Sequence, residues 1–253
     1  MIKIENVDVV GLEHAIRGMR NPMNSWDRSD STCCGDEDDC DGCPGLSNEK
    51  VCDFGLYNKG YILGPNDRTL ATQLAAGGPV HAKYRRMITV YLDVVAPLYW
   101  WKEFDTYKVG TVTNSCSTMH KIHEKEFTLD DFSHEHLLAE DIINDDDAIY
   151  NDEHSCVCTP VHVIAGVILD TLNYYRKKYL KTKDKKYWWQ MIQLLPSSYN
   201  QRRTLMLNYE VLYNIYHSRR AHKLDEWREF CKWIESLPYS EIITGEREIE
   251  KEV

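Results

Sequence analysis

The most regular alternation in the chain is Met87–Val95, MITVYLDVV. Ile88, Val90, Leu92 and Val94 share one face, and Thr89, Tyr91 and Asp93 share the other. A period of two predicts a half-buried β-strand. Ile2–Val10 alternates less perfectly and predicts a second strand, followed by a helix over Leu12–Met19. Asn66-Asp67 reads as the cap of a helix, NDRTLATQLAAGG, that stops at Gly77-Gly78. Pro97 suits a first helical turn continued by Leu98–Phe104. Thr159-Pro160 opens a long helix, VHVIAGVILDTLNYYRKKYL, whose basic end complements the helix dipole. Lys183–Lys186 form a basic turn, and Tyr187–Leu194 a short helix that ends near Leu195-Pro196. Two more helices are predicted, one from about Arg203 to Ser218 and one over Asp225–Glu235. In the second, Leu224, Trp227, Phe230-Cys231, Ile234 and Leu237 make an apolar stripe.

Periodicity fails in two places. Residues 21–54 are rich in Asp, Gly, Ser and Cys, and 27–54 read as an insertion; residues 124–158 are acidic and irregular. With a charged tail at 244–253 and no internal repeat, the chain reads as one domain over 1–253 carrying two irregular segments.

Composition narrows the function classes. The 253 residues carry a formal net charge of −10, which argues against a general nucleic-acid-binding surface but leaves room for a local cationic pocket. No run of about 18 or more apolar residues predicts a membrane span. The polar N-terminus does not read as a signal peptide, and the nine cysteines are then expected as reduced thiols in a cytoplasm. Sixteen Tyr and seven Trp suit crowded interfaces, and Tyr99, Trp100 and Trp101 read as core or subunit interface.

Candidate chemistry concentrates in His81–Lys121. A histidine precedes the regular strand, aromatics follow Ala96-Pro97, and a mostly polar run ends the stretch, with Thr106, Tyr107, Lys108, Thr111, Thr113, Asn114, Cys116, Ser117, Thr118 and His120. A rigid scaffold delivering small hydrogen-bonding groups suggests a site for an anionic or heteroaromatic ligand. A second constellation spaces Leu195-Pro196, Asn208, Asn214, the doubled Arg219-Arg220 and Trp227 along the last third.

On these two blocks the chain resembles the flavin-dependent thymidylate synthases, the ThyX family. The resemblance implies an α+β fold with an antiparallel sheet flanked by helices, assembled as a homotetramer that holds FAD and dUMP between subunits. It implies reductive methylation of dUMP to dTMP, with FAD as cofactor and NADPH and methylene tetrahydrofolate as co-substrates. His81 stands where the family has its flavin-contacting histidine. Thr106, Tyr107 and Lys108 stand at the Arg-His-Arg signature, Asn114 in the trailing polar run, Cys116 and Ser117 at the substrate-contacting serine, and Thr118 at a further arginine. The resemblance thus assigns cofactor contacts to His81, Thr106, Tyr107, Asn114, Asn208 and Asn214. It assigns substrate contacts to Lys108, Cys116, Ser117, Thr118 and Arg219 or Arg220, with Lys108, Cys116 and Ser117 as the catalytic candidates.

The departures have physical content. Only Lys108 keeps a charge of the signature, without the planar fork of an arginine. Each lost charge-assisted contact is worth roughly 1.5–3 kcal/mol, so other cations must compensate; Arg85, Arg86, Arg202, Arg203, Arg219 and Arg220 are the candidates. Cys116 is either a hydrogen-bonding stand-in or a nucleophile toward uracil C6. Two other functions stay open: another C5 modification of a deoxyuridine nucleotide, such as hydroxymethylation, and a non-catalytic nucleotide-binding oligomer of the same fold. Cys33, Cys34, Cys40 and Cys43, with a C-x-x-C and Cys52 nearby, could form a small zinc knuckle, and His154, Cys156, Cys158 and His162 a second set. Neither has a clean paired pattern, so a solvated loop is the leading reading and no metal is expected, with a structural zinc as the alternative. The expected partners are a deoxyuridine nucleotide and further copies of the chain, with neither a nucleic-acid polymer nor a membrane.

Overall fold

The computed structural model describes residues 2–33, 60–140 and 159–245. In chain order the regular elements are β1 (Lys3–Val10), α1 (Leu12–Met19), β2 (Thr32–Cys33), β3 (Tyr61–Ile62), α2 (Pro65–Ala76), β4 (Thr89–Pro97), α3 (Leu98–Phe104), β5 (Val112–Ser115), α4 (Thr118–Lys121), α5 (Leu169–Thr182), α6 (Lys185–Leu194), β6 (Asn200–Asn208), α7 (Tyr209–Arg219), α8 (Asp225–Glu235) and α9 (Glu241–Thr244). This is a mixed fold of helices and antiparallel sheet, as expected. The four-stranded sheet has the order β1-β4-β6-β5, and β2 pairs antiparallel with β3 in a separate ribbon. Among the described residues no helix is long and apolar enough to cross a membrane.

The chain divides into two compact units, and it passes from one to the other within β4, at the end of α3, and within β5 and β6. The sheet unit comprises residues 2–94, 105–114 and 203–253. Its period-two strand behaves as the sequence predicts: Ile88, Val90, Leu92 and Val94 are buried. On the polar face, Asp93 accepts hydrogen bonds from Asn6 on β1 (2.8 Å) and Thr204 on β6 (2.5 Å), fastening the central strand to both neighbours. α7 packs against α8, α9 and the 3-10 turn Ala82–Met87. Gly11, at φ 92°, carries the chain from β1 into α1 where a Cβ would stand 2.3 Å from the Met87 carbonyl oxygen, so only glycine fits.

Two buried ion pairs lock this unit. Arg20 Nε donates to Asp67 Oδ1 at 2.5 Å. Asp67 Oδ2 also accepts from the Ser29 and Ser31 hydroxyls (2.6 and 2.7 Å). Arg85 Nε donates to Glu210 Oε2 at 2.8 Å, its Nη1 donates to the Ile242 carbonyl at 3.2 Å, and its guanidinium lies 4.0 Å from the Tyr213 ring centroid.

The helical unit comprises Val95–Phe104 and Ser115–Arg202. α5 and α6 form an antiparallel-type hairpin over a core of Ile122, Phe127, Phe132, Leu169, Leu172 and Met191. Trp100, Trp101 and Phe104 of α3 are buried against one another, and Trp101 Nε1 donates to the Gln201 carbonyl at 2.9 Å. They are core, as read from the sequence.

Three sequence expectations are corrected. Arg203 does not begin a helix: Asn200–Asn208 is a sheet strand, and the helix starts at Tyr209. Gln201, Leu205 and Leu207 are the buried positions, a period of two that the apolar run continuing into Tyr209–Tyr216 conceals. Asn66-Asp67 does not cap α2. The cap comes from outside the helix: the Asp30 carboxylate accepts from the Asn66 and Asp67 amides at 2.8 and 3.0 Å. The helix opened by Thr159-Pro160 is not uniform; Thr159 caps it as expected, but Val163–Ile168 is π-helical before α5 begins. Residues 34–59, which take in most of the expected insertion at 27–54 with Cys34, Cys40, Cys43 and Cys52, lie outside the described residues, as do His154, Cys156 and Cys158.

Candidate functional site

The sequence-predicted residues fall into three places. The first is built on α7 in the sheet unit. The side chain of Asn208 accepts from the Val211 amide at 3.1 Å and so caps this helix. Its Nδ2 lies where a Cβ on Gly110 would come within 2.9 Å, and Gly110 sits at φ 78°. Gly110 therefore lets the segment at 106–111 turn tightly over the helix start. Lys108 N donates to the Thr106 carbonyl at 3.1 Å in the same turn. At the other end of α7, Arg219 Nε donates to the Tyr107 hydroxyl at 3.0 Å, and its guanidinium lies 4.9 Å from the buried Trp227 ring. Thus Tyr107, Arg219 and Trp227 are brought together, with the Tyr107 and Trp227 rings 5.9 Å apart. Thr106 and Lys108 are exposed beside them, Asn214 is exposed on α7, and Arg220 is exposed with its guanidinium 5.9 Å from the Tyr216 ring. The four residues of β5, Asn114 included, are exposed at the sheet edge.

The second place is a cleft of about 440 Å³ in the helical unit. Cys116, Ser117 and Thr118 line it together with Lys121, Lys125 and Arg202. Local pairing fixes the wall: the Cys116 amide donates to the Arg202 carbonyl at 2.9 Å, and Gln201 Nε2 donates to the Cys116 carbonyl at 3.1 Å. The Ser117 hydroxyl accepts from the His120 amide at 3.1 Å and caps α4. Cys116 is exposed as a free thiol. Lys121 pairs with Glu124 (2.5 Å) and Lys125 with Asp131 (3.0 Å), both at the surface, where such pairs exchange readily with an incoming anion. Tyr199, also in the wall, has its phenol pushed above the ordinary range by burial, with Asp131 and Cys116 adding to the effect.

The third place surrounds His81. It is a cavity of about 350 Å³ in the sheet unit, walled by Met19, Met23, Leu74, Val80 and Met87, with His81, Lys83 and Tyr84 as its polar members. His81 is exposed, and its ring lies over Gly77.

The arginines proposed as substitutes for the lost signature charges separate clearly. Arg85 is committed to Glu210, and burial draws its pKa down while Glu210 opposes the shift. Arg203 pairs with Asp105 at 2.6 Å, and Arg219 is engaged by Tyr107. Arg202 is the one that lines the cleft of Cys116. Sequence reasoning missed Lys121 and Lys125 as members of this cleft. Their spacing of three and seven residues after Thr118, across the turn of a short helix, was the available signal. Among the described residues no cluster of three or more His, Cys, Asp or Glu could hold a metal.

No family model and no curated protein matches the chain. Solved structures do. One is ThyX from Helicobacter pylori with FAD and dUMP, at a TM-score of 0.58 and 13% identity, covering 96% of this chain and 97% of that one. Another is the UMP/dUMP methylase PolB from Streptomyces cacaoi bound with 5-Br UMP, at a TM-score of 0.51 and 11% identity, covering 95% and 92%. At these identities the likeness is one of fold, and it runs over nearly the whole of each chain: this chain has a ThyX-like fold.

Proposed function

We propose that the chain is a ThyX-like, flavin-dependent enzyme that adds one carbon to C5 of a deoxyuridine nucleotide, with reductive methylation of dUMP as the reaction. The observation that carries this reading is the end-to-end likeness to a protein crystallised with FAD and dUMP. A flavin suits the residues present in kind. The His81 cavity offers apolar walls with an imidazole and an ammonium among them, the lining that a ring system with polar edges requires. Bound FAD, reduced by NADPH, would supply the hydride and relay the carbon of methylene tetrahydrofolate.

The remaining work belongs to this chain's own side chains. Arg202, Lys121 and Lys125 supply the charge that Thr118 lacks and hold the nucleotide's phosphate in the Cys116 cleft. Thr118 and Ser117 present hydroxyls to the same ligand. Lys108, on the Gly110 turn of the sheet unit, is a separate candidate for substrate contact. Asn208 and Arg219 set that turn against α7. β5 leaves its polar edge exposed, and a second copy of the chain would cover it and complete the site, as in a tetramer.

Turnover tests the reading. Purified protein given FAD, NADPH, methylene tetrahydrofolate and dUMP should oxidise NADPH only when dUMP is present and should yield dTMP. A hydroxymethylated product would move the assignment to the other C5 chemistry. No nucleotide-dependent oxidation, with FAD bound, would leave a non-catalytic oligomer. Cys116→Ser should retain turnover if the thiol only hydrogen-bonds; loss of several orders of magnitude would make it the nucleophile at C6.

A further inference from the structure

The α5–α6 hairpin carries a surface that neither the proposed site nor the core uses. Residues 176–186, RKKYLKTKDKK, hold seven lysines and arginines against one aspartate, in a chain of net charge −10. The segment ends α5, turns through Lys183 in the left-handed region (φ 57°), and opens α6 after the Asp184 cap. Both helices spend their apolar faces inward: Leu169, Leu172 and Met191 are buried, with Tyr175, Tyr179, Trp188 and Ile192 packed against them. What remains outside is rings and ammonium groups. Tyr174 is 54% exposed and Trp189 41%. Lys178 lies 5.4 Å from the Tyr174 ring and Lys185 lies 5.7 Å from the Trp189 ring. Lys186 lies 4.9 Å from the ring of half-buried Tyr187, and Lys183 lies 5.6 Å from the inward-packed Tyr179.

Among the described residues, two of these lysines have acidic partners. Lys186 pairs with Asp184 at 3.0 Å and Lys177 with Glu126 at 3.8 Å, both on the surface. Arg176 is turned inward, donating to the His123 and Glu124 carbonyls.

We propose that this basic, aromatic hairpin is a docking surface for single-stranded nucleic acid. Exposed ring faces stack on unpaired bases, and the interleaved ammonium groups meet the phosphates. The charge is complementary, and the flat rings favour an unpaired strand over a duplex, whose bases are already stacked. A bilayer is the weaker partner, because the hairpin's tip exposes one aliphatic side chain, Leu180, at 37%. The net charge that excludes a general nucleic-acid surface is compatible with this local one. The inference is independent of the flavin reading.

Fluorescence anisotropy on the full chain tests it, using labelled oligo(dT) of about 20 nucleotides at about 50 mM salt. The single strand should bind more tightly than a duplex of the same length, and binding should fall steeply with salt. Reversing Lys181, Lys183 and Lys185 to Glu should weaken binding about tenfold or more and flatten the salt dependence. The milder change of the same three to Gln should do so partially. Trp189→Ala should weaken binding roughly fivefold or more while leaving the salt slope in place. Unchanged thermal unfolding of each variant shows that the fold is intact. The proposal is overturned by no binding of oligo(dT), by equal affinity for duplex, by indifference to all of these substitutions, or by cosedimentation with phosphatidylserine vesicles in place of oligonucleotide binding.

Discussion

At the scale of single residues, the chain's charges sort by burial. Asp67 is buried, which alone would raise its carboxyl pKa, but hydrogen bonds from Ser29, Ser31 and Arg20, with the charge of Arg20, outweigh that and hold it below the ordinary carboxylate range. A carboxyl depressed in the folded state contributes stability that is fully present above its unfolded pKa of about 3.9 and is lost as pH falls through the folded value. Asp67→Asn should therefore destabilise the protein at neutral pH and flatten its acid limb below about pH 4, as followed by urea midpoints across pH; an unchanged acid limb would contradict this role. Arg85→Met should destabilise by about 3–5 kcal/mol, because Glu210 is left half-paired in the interior. The thiols diverge in the same way. Burial, aided by Glu235, pushes Cys231 up to about 12, while Cys116 is exposed. Mapping of alkylated peptides from native protein should find Cys116 modified and Cys231 protected until the chain unfolds. None of these partnerships was legible in the sequence. Arg20 and Asp67 are 47 residues apart, and Arg85 and Glu210 are 125 apart, so only the fold brings them together.

At the scale of elements, short-range patterns were legible and competing patterns were not. β4 and α8 follow the period of their apolar residues closely, since each has one buried face and one polar face. β6 escaped detection because its apolar residues run on into α7 with no turn between them. The boundary is marked by one side chain, the capping Asn208. Asn208→Ala should lower stability by about 1 kcal/mol in chemical denaturation and loosen the Gly110 turn that Asn208 touches. The comparable change at Asp30 should fray the start of α2, read as faster amide exchange at Asn66 and Asp67. The candidate site was half legible for a related reason. Spacing names Cys116–Thr118 as candidates, but the cations lining the same cleft, Lys121, Lys125 and Arg202, come from α4, the segment after it and β6, whose period the sequence conceals.

At the scale of the whole molecule, the likeness to ThyX in fold spans nearly the whole chain. The cleft at Cys116 is lined by three cations, Lys121, Lys125 and Arg202. On this account the chain keeps its ligands and changes the side chains that grip them. The most direct test is the visible spectrum of the purified protein titrated with FAD, then with dUMP. The account predicts saturable binding of FAD and a further spectral change when dUMP is added, weakened by Arg202→Ala. A protein that leaves the FAD spectrum unchanged, with or without dUMP, would contradict it.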